Sequence, residues 1–168
     1  MLIVSQLGVL FLPNFAPGST KLTSLNRSRK IFLEDQKKRG IEMIRVINES
    51  KLPQYNLALE EYVLNRLDPS HPYVIIWQNE PTVVIGRNQN ALAEVNVKYV
   101  KENNIHVVRR LSGGGAVYHD LGNLNFTFIV DGEKGVVSNF EFFTRPVVKA
   151  LRSLGVNAEF SGRNDITI

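Results

Sequence analysis

The 168-residue sequence contains no cysteine. That excludes a disulfide framework, a cysteine zinc site and any cysteine nucleophile within these residues. It also lacks an apolar run of 18 or more residues, which excludes a transmembrane helix within the sequence. No internal repeat or low-complexity tract interrupts it. A basic surplus is missing from most of its length. The net charge is +4, but residues 1–42 hold seven of the 20 Lys/Arg and three of the 16 Asp/Glu, and the remaining 13 of each sign cancel over residues 43–168. The body therefore carries no excess of cations to suggest a nucleic-acid partner. What is present is 43% apolar, 9% aromatic and 21% charged, a globular composition that argues against disorder, collagen or a coiled coil. The length suits about one domain.

The leading segment differs from the rest. Its apolar opening, residues 2–12, is followed by Pro13 and Pro17. No Lys or Arg precedes it and no small-x-small cleavage pattern follows, so it is a poor secretory signal. Residues 19–40 are polar and basic, with Arg27, Arg29, Lys30, Lys37, Lys38 and Arg39 scattered along them. A new pattern begins at Met43. Residues 1–42 are expected to be a poorly ordered extension, with Met43 as the natural start. The competing reading is a segment that touches a membrane through residues 2–12.

Periodicity then outlines the body. Residues 44–47 read as a short strand, and residues 56–67 as a helix capped by Asn56 with Leu57, Leu59, Tyr62, Val63 and Leu67 on one stripe. Residues 73–77 and 82–85 are β-rich runs separated by Asn79-Glu80-Pro81, a hairpin signal. Asn96 is placed to cap a helix through Glu102. Residues 105–109 and 123–130 read as strands, the latter with Leu124, Phe126, Phe128 and Val130 on one face. Ser138 and Glu141 have capping-box spacing for a helix to Leu154, with Pro146 expected to kink it or mark a second start at Thr144. Gly155 fits the helix stop. Residues 166–168 look like the first residues of a strand. Strands with interspersed helices imply an α/β or α+β fold with a mixed β-sheet.

The densest chemical signal is the run from Arg109 to Asp120, RRLSGGGAVYHD. Three glycines after a strand allow the main chain to approach an anion, with N–H groups directed at its oxygens. Arg109 and Arg110 point to opposite faces of a strand, so only one serves the loop directly. A guanidinium there suits bidentate phosphate binding. The P-loop pattern fails because Ala116-Val117 stand where Lys-Ser/Thr is needed, and the dinucleotide fingerprint fails at Tyr118. A tight glycine hairpin with surface arginines is the plainer alternative.

Residues 109–128, RRLSGGGAVYHDLGNLNFTF, resemble the signature of lipoate–protein ligases, members of the biotin/lipoate ligase superfamily. The resemblance extends to NLALEE at 56–61, WQNEPTVVIGRNQN at 77–90, LGV at 154–156 and SGRND at 161–165, in order and spacing. It covers roughly residues 43–168. It implies a biotin/lipoate ligase-like (class II synthetase-like) catalytic domain in which a mixed sheet is flanked by helices. It further implies a two-step reaction: lipoate and Mg-ATP give lipoyl-adenylate, and a lysine of a lipoyl-carrier domain then takes the acyl group. The carriers would be those of 2-oxoacid dehydrogenase complexes or the glycine-cleavage H protein, in the cytoplasm, with no nucleic-acid or membrane partner. By residue, the resemblance implies that Arg110 lies near the ATP phosphates. Gly115, Ala116, Val117 and Tyr118 cradle the nucleotide, and Ser112, Gly113 and Gly114 complete the loop wall. His119 and Asn123 line the acyl-adenylate pocket, and Leu57 and Glu60 the lipoyl end. Asn164 lies by the adenylate, and Asp165 is a ligand for Mg²⁺ as a hard oxygen donor.

The family's active-site lysine follows the Arg-Asn-Asp turn, in an Asp-Gly-x-Lys-like segment, and this sequence ends at Ile168 before that position. The resemblance thus leads to the expectation of a partial catalytic domain with little ligase turnover by itself, since losing one such electrostatic contact commonly costs ~10²–10³ in rate. Two rivals remain from the sequence: a cysteine-dependent octanoyl- or lipoyl-transferase of the same superfamily, and a non-catalytic product that binds lipoate or nucleotide.

Overall fold

The computed structural model describes residues 2–5, 10–11, 43–130, 140–161 and 165–168. Two strands, β1 (Leu2–Ser5) and β2 (Leu10–Phe11), lie in the leading segment, whose other residues fall outside the described ones. The body follows as β3 (Ile44–Val46), α1 (Pro53–Arg66), β4 (Tyr73–Trp77), β5 (Thr82–Ile85), α2 (Ala91–Glu94), α3 (Val97–Glu102) and β6 (His106–Arg109). It continues through β7 (Val117–His119), β8 (Asn123–Val130), α4 (Phe140–Ser153), β9 (Glu159–Ser161) and β10 (Asp165–Thr167).

The long strand β8 organises the larger, five-stranded sheet. One edge pairs antiparallel with β4, Tyr73 opposite Ile129 through Trp77 opposite Asn125, and β3 adds parallel to β4. Its other edge carries β1, Leu2 opposite Val130, and β2, Leu10 opposite Leu124. The sheet is therefore mixed, as expected. Alternation along β8 separates two apolar clusters. Phe126 and Phe128 meet Val74 and Phe143 of α4 on one face. Ile129 meets Tyr73, Ile75, Trp77 and Val63 of α1 on the other. Each fully buried side chain of this kind contributes about 1.5–3 kcal/mol.

Strand β5 does not form a hairpin with β4, contrary to the signal at Asn79-Glu80-Pro81. It belongs to a second sheet ordered β6–β5–β7, parallel to β6 and antiparallel to β7. Strand β4 already has β3 and β8 on its edges, so the turn passes the chain to a new sheet. Asn79 is buried in that turn.

Helix α1 begins earlier than expected. Pro53 occupies its first turn after Leu52, where a missing N–H is harmless. Asn56 is thus not a cap but an interior residue. The buried positions of α1 are Pro53, Asn56, Glu60 and Val63, and Tyr62 of the expected stripe is exposed. An amide and a carboxylate on an inward helical face need partners, and both find them at the site described below. Asn96 caps α3 as expected, accepting from the Tyr99 N–H at 3.1 Å. Pro146 lies within the single helix α4, with no second start at Thr144. Ser138 lies outside the described residues. The helix stops where Gly155 N–H donates to Arg152 O at 3.0 Å and Val156 N–H to Leu151 O at 3.1 Å. Its last turns seat the β9–β10 hairpin through Val148, Leu151 and Ala158, with Ile166 packed beside them.

Candidate functional site

The loop from β6 to β7 carries the three glycines, and two neighbouring arginines shape it. Their side chains diverge, as alternation requires. Arg109 Nη1 donates to three carbonyls of the loop after β5: Gly86 at 2.8 Å, Arg87 at 3.1 Å and Gln89 at 2.8 Å. Arg110, only 6% exposed, turns inward. Its Nε and Nη2 donate to Gly113 O at 3.1 and 2.8 Å, Nη2 to Gly115 O at 2.7 Å, and Nη1 to Val84 O at 3.2 Å. The guanidinium expected at the phosphates is thus engaged by main-chain oxygens in this structure.

The consequence is a polarised turn. The carbonyls of Gly113 and Gly115 face Arg110, and Ser112 O accepts from Arg87 N–H at 2.9 Å. No hydrogen bond among the described residues uses the N–H of Gly113 or Gly114. Gly114 has φ +95°, a conformation that suits glycine, and a Cβ there would lie 2.8 Å from Arg110 Nη2. Gly86 is just as constrained, since a Cβ on it would sit 2.1 Å from Gly114 O. The two loops touch main chain to main chain. The exposed turn presents donors over a buried cation, the arrangement of an anion cradle.

Beside it lies a cleft of about 300 Å³ between α1 and the exit of β6, lined by Leu57, Ala58, Glu60, Val108, Arg109 and Leu111 among others. Leu57 and Glu60, expected at the lipoyl end, therefore share one wall. Glu60 accepts a hydrogen bond from the Thr127 hydroxyl, and Thr127 in turn accepts from Trp77 Nε1 at 3.0 Å. Burial holds the Glu60 carboxyl above the usual carboxylate range, although the Thr127 bond and the charge of Arg110 oppose the shift.

His119, on β7, is fully buried. Asn79 lies 3.2 Å from its Nδ1, and the Trp77 ring meets it edge-on with centroids 5.8 Å apart. Burial, assisted by the positive charge of Arg110 and opposed by Asp120, lowers its pKa to about 4. The imidazole is accordingly neutral at pH 7. The following turn closes through Asp120 N–H to Asn123 Oδ1 at 2.7 Å. His119 Nε2, Asn123 Nδ2 and Asn125 Nδ2 are buried without a partner among the described residues.

The structure thus brings Arg110 together with Gly113, Gly114 and Gly115, and places Ser112 at the loop junction. It sets Leu57 and Glu60 in the cleft and His119 and Asn123 around one turn. Ala116 and Val117 are half-buried, and Tyr118, alternating with His119 on β7, faces outward. Asn164 lies outside the described residues. The main chain of Asp165 opens β10 opposite Ser161. No group of three or more His, Cys, Asp or Glu side chains able to hold a metal occurs among the described residues. Sequence reasoning missed Asn79, Gly86, Gln89 and Thr127. A glycine directly after a strand was the available signal for Gly86. Asn79 read only as a turn residue, and nothing in the sequence pointed Thr127 toward Glu60 and Trp77.

Residues 52–168 match the lipoyl protein ligase A/B catalytic domain. The chain belongs to this family. It is 58% identical over 116 residues to a lipoate-protein ligase of Bacillus subtilis, covering 69% of this chain and 35% of that one. The ligase of an archaeal lipoylation system from Thermoplasma acidophilum, described as bipartite and reported with its E2 lipoyl domain, is similar in structure. Its TM-score is 0.69 at 34% identity, over 76% of this chain and 51% of that one. A lipoate-protein ligase A bound with ATP gives a TM-score of 0.65 at 34% identity, over 74% and 52% respectively. The family shares the biotin/lipoate ligase-like fold, and the mixed sheet flanked by helices agrees with it. The chain spans about a third of the length of the curated relatives it matches. No described helix is long and apolar enough to cross a membrane.

Proposed function

We propose that this family member serves ATP-dependent lipoate–protein ligation, binding lipoyl-adenylate across the glycine turn and the α1 cleft. In the first step a lipoate carboxylate oxygen bonds to the α-phosphorus of ATP and the bond to pyrophosphate breaks. In the second, a carrier lysine amine attacks the acyl carbon, loses a proton, and AMP leaves. Neither step requires a covalent enzyme intermediate; both require charge and geometry held still.

The polarised turn carries this reading. With the Gly113 and Gly115 carbonyls drawn back to Arg110, the turn offers the N–H groups of Gly113, Gly114 and Gly115 to phosphate oxygens, and Ser112 and Ala116 to Tyr118 complete the cradle. Arg110 acts from behind the loop: it shapes the turn and adds positive charge beneath it. Leu57, Val108 and Leu111 give the acyl chain an apolar wall ending at Glu60. His119 and Asn123 close the opposite side, and Asn164 borders the nucleotide. Magnesium usually takes one or two carboxylates and completes its shell with phosphate and water, which agrees with a single ligand at Asp165 rather than a protein cage. When bound it neutralises phosphate charge. Carrier domains of 2-oxoacid dehydrogenase complexes or the glycine-cleavage H protein are the proposed acceptors, and the cytoplasm the proposed compartment.

Titration of lipoyl-adenylate into ¹⁵N-labelled protein tests the site. Amide shifts are expected at residues 112–118 and on α1 around Leu57 and Glu60, together with a higher Tm, because the ligand binds only the folded state. Saturable binding that leaves both segments unshifted would overturn the proposal.

A further inference from the structure

We propose that Asn79 is a positioning residue: a line of asparagine amides through Asn48, Asn56 and Asn79 fixes the His119 proton on Nε2, where it meets a lone pair of the bound acyl-adenylate. The ligand part rests on the ligase reading above; the proton's position does not.

The line can be read from main-chain groups of known polarity. Ser50 N–H only donates, so Asn48 presents oxygen to it, at 3.0 Å. The Asn48 nitrogen then reaches Asn56 Oδ1 at 2.8 Å. Independently, the other end of Asn56 faces the carbonyls of Gln78 at 2.8 Å and Ser50 at 3.3 Å, which only accept, so that end is nitrogen. Both ends of the Asn56 amide are thus assigned consistently. The same nitrogen lies 2.8 Å from Asn79 Oδ1, which leaves only the Asn79 nitrogen for His119 Nδ1. An amide nitrogen donates, so Nδ1 must hold a lone pair and the imidazole hydrogen resides on Nε2. Asn56, Asn79 and His119 are all buried, and reversing any one of them would set like against like away from water.

His119 Nε2–H has no acceptor among the described residues, although it is buried. It is not isolated. Asn123, whose oxygen is taken by Asp120 N–H, has an unpartnered nitrogen in the next turn. Asn125, likewise unpartnered, pairs across the sheet with Trp77, whose ring touches His119. Three donors without acceptors at the corner of β4, β7 and β8 suit a ligand group that only accepts. The acyl-adenylate supplies carbonyl and phosphate oxygens of that kind.

The test is long-range ¹H–¹⁵N NMR on histidine-labelled protein at pH 7, free and saturated with lipoyl-adenylate. The expected free-state spectrum shows His119 as the single Nε2–H tautomer, and ligand shifts its Nε2 resonance. Asn79→Leu, checked for folding by the fluorescence of Trp77, is expected to mix the tautomers and weaken lipoyl-adenylate binding about tenfold. A proton on Nδ1 in the wild type overturns the proposal whether or not the variant folds. So does an Nε2 resonance that ignores saturating ligand, or a variant that keeps both tautomer and affinity. Absence of calorimetric binding by the wild type would count against the ligase reading instead, and the free-state spectrum would still decide where the proton lies.

Discussion

The two sheets achieve order by different means. The larger one is covered on both faces: Phe128 and its neighbours meet α4, and Ile129 and its neighbours meet α1. The smaller one, β6–β5–β7, contributes no member to any of the three apolar clusters of the described residues. Its loops are set by directional bonds from Arg109 and Arg110 to main-chain oxygens. Apolar area gives stability without prescribing atomic positions; hydrogen bonds prescribe positions and contribute less. The molecule places its candidate chemistry where position matters and its bulk where it does not.

Truncating the covered face should have the largest effect. Phe128→Ala removes a ring from the α4 cluster and is expected to cost about 3–5 kcal/mol in denaturant unfolding. A loss below ~1 kcal/mol would show that this face does not hold the fold. Acid comes next. His119 titrates near 4 when folded against about 6.5 unfolded, so its contribution is complete above pH 6.5 and disappears as pH falls toward 4. That is up to about 3 kcal/mol, and His119→Gln should flatten this part of the stability-versus-pH curve.

The loops should respond in binding more than in stability. Arg110→Met leaves the inward carbonyls of Val84, Gly113 and Gly115 without their donor. It is expected to cost about 2 kcal/mol of stability and to weaken lipoyl-adenylate binding at least tenfold. Equal stability and affinity in this variant would refute the polarised turn. Glu60→Gln is the gentlest change. Burial raises the Glu60 pKa, so its ionised form opposes folding, and stability falls as pH rises through the folded pKa. The glutamine oxygen still accepts from Thr127, and a Tm gain of a few degrees at pH 8 that vanishes at low pH is the expected result.

The sequence showed β3, β4 and β8 of the larger sheet because these runs are β-rich, with clear alternation along residues 123–130, but not the short β1 and β2 of the leading segment. It showed the glycine turn for a local reason, three adjacent glycines after a strand. It misled where tertiary partners decide. Asn56 has the residue type of a cap but sits on the inward face of α1, where Asn48 and Asn79 satisfy it. Asn79-Glu80-Pro81 has the composition of a hairpin, but the edges of β4 were already taken by β3 and β8. The inward course of Arg110 depends on carbonyls that the loop itself creates, and no residue pattern announces it.

The contact of Gly86 with Gly114 O, together with the Arg87–Ser112 bond, has a kinetic corollary. Neither loop can swing out alone without tearing that seam. Excursions of the turn should be concerted, and the Arg87 amide proton, which donates to Ser112 O across the seam, should exchange with deuterium at the rate at which the two loops part.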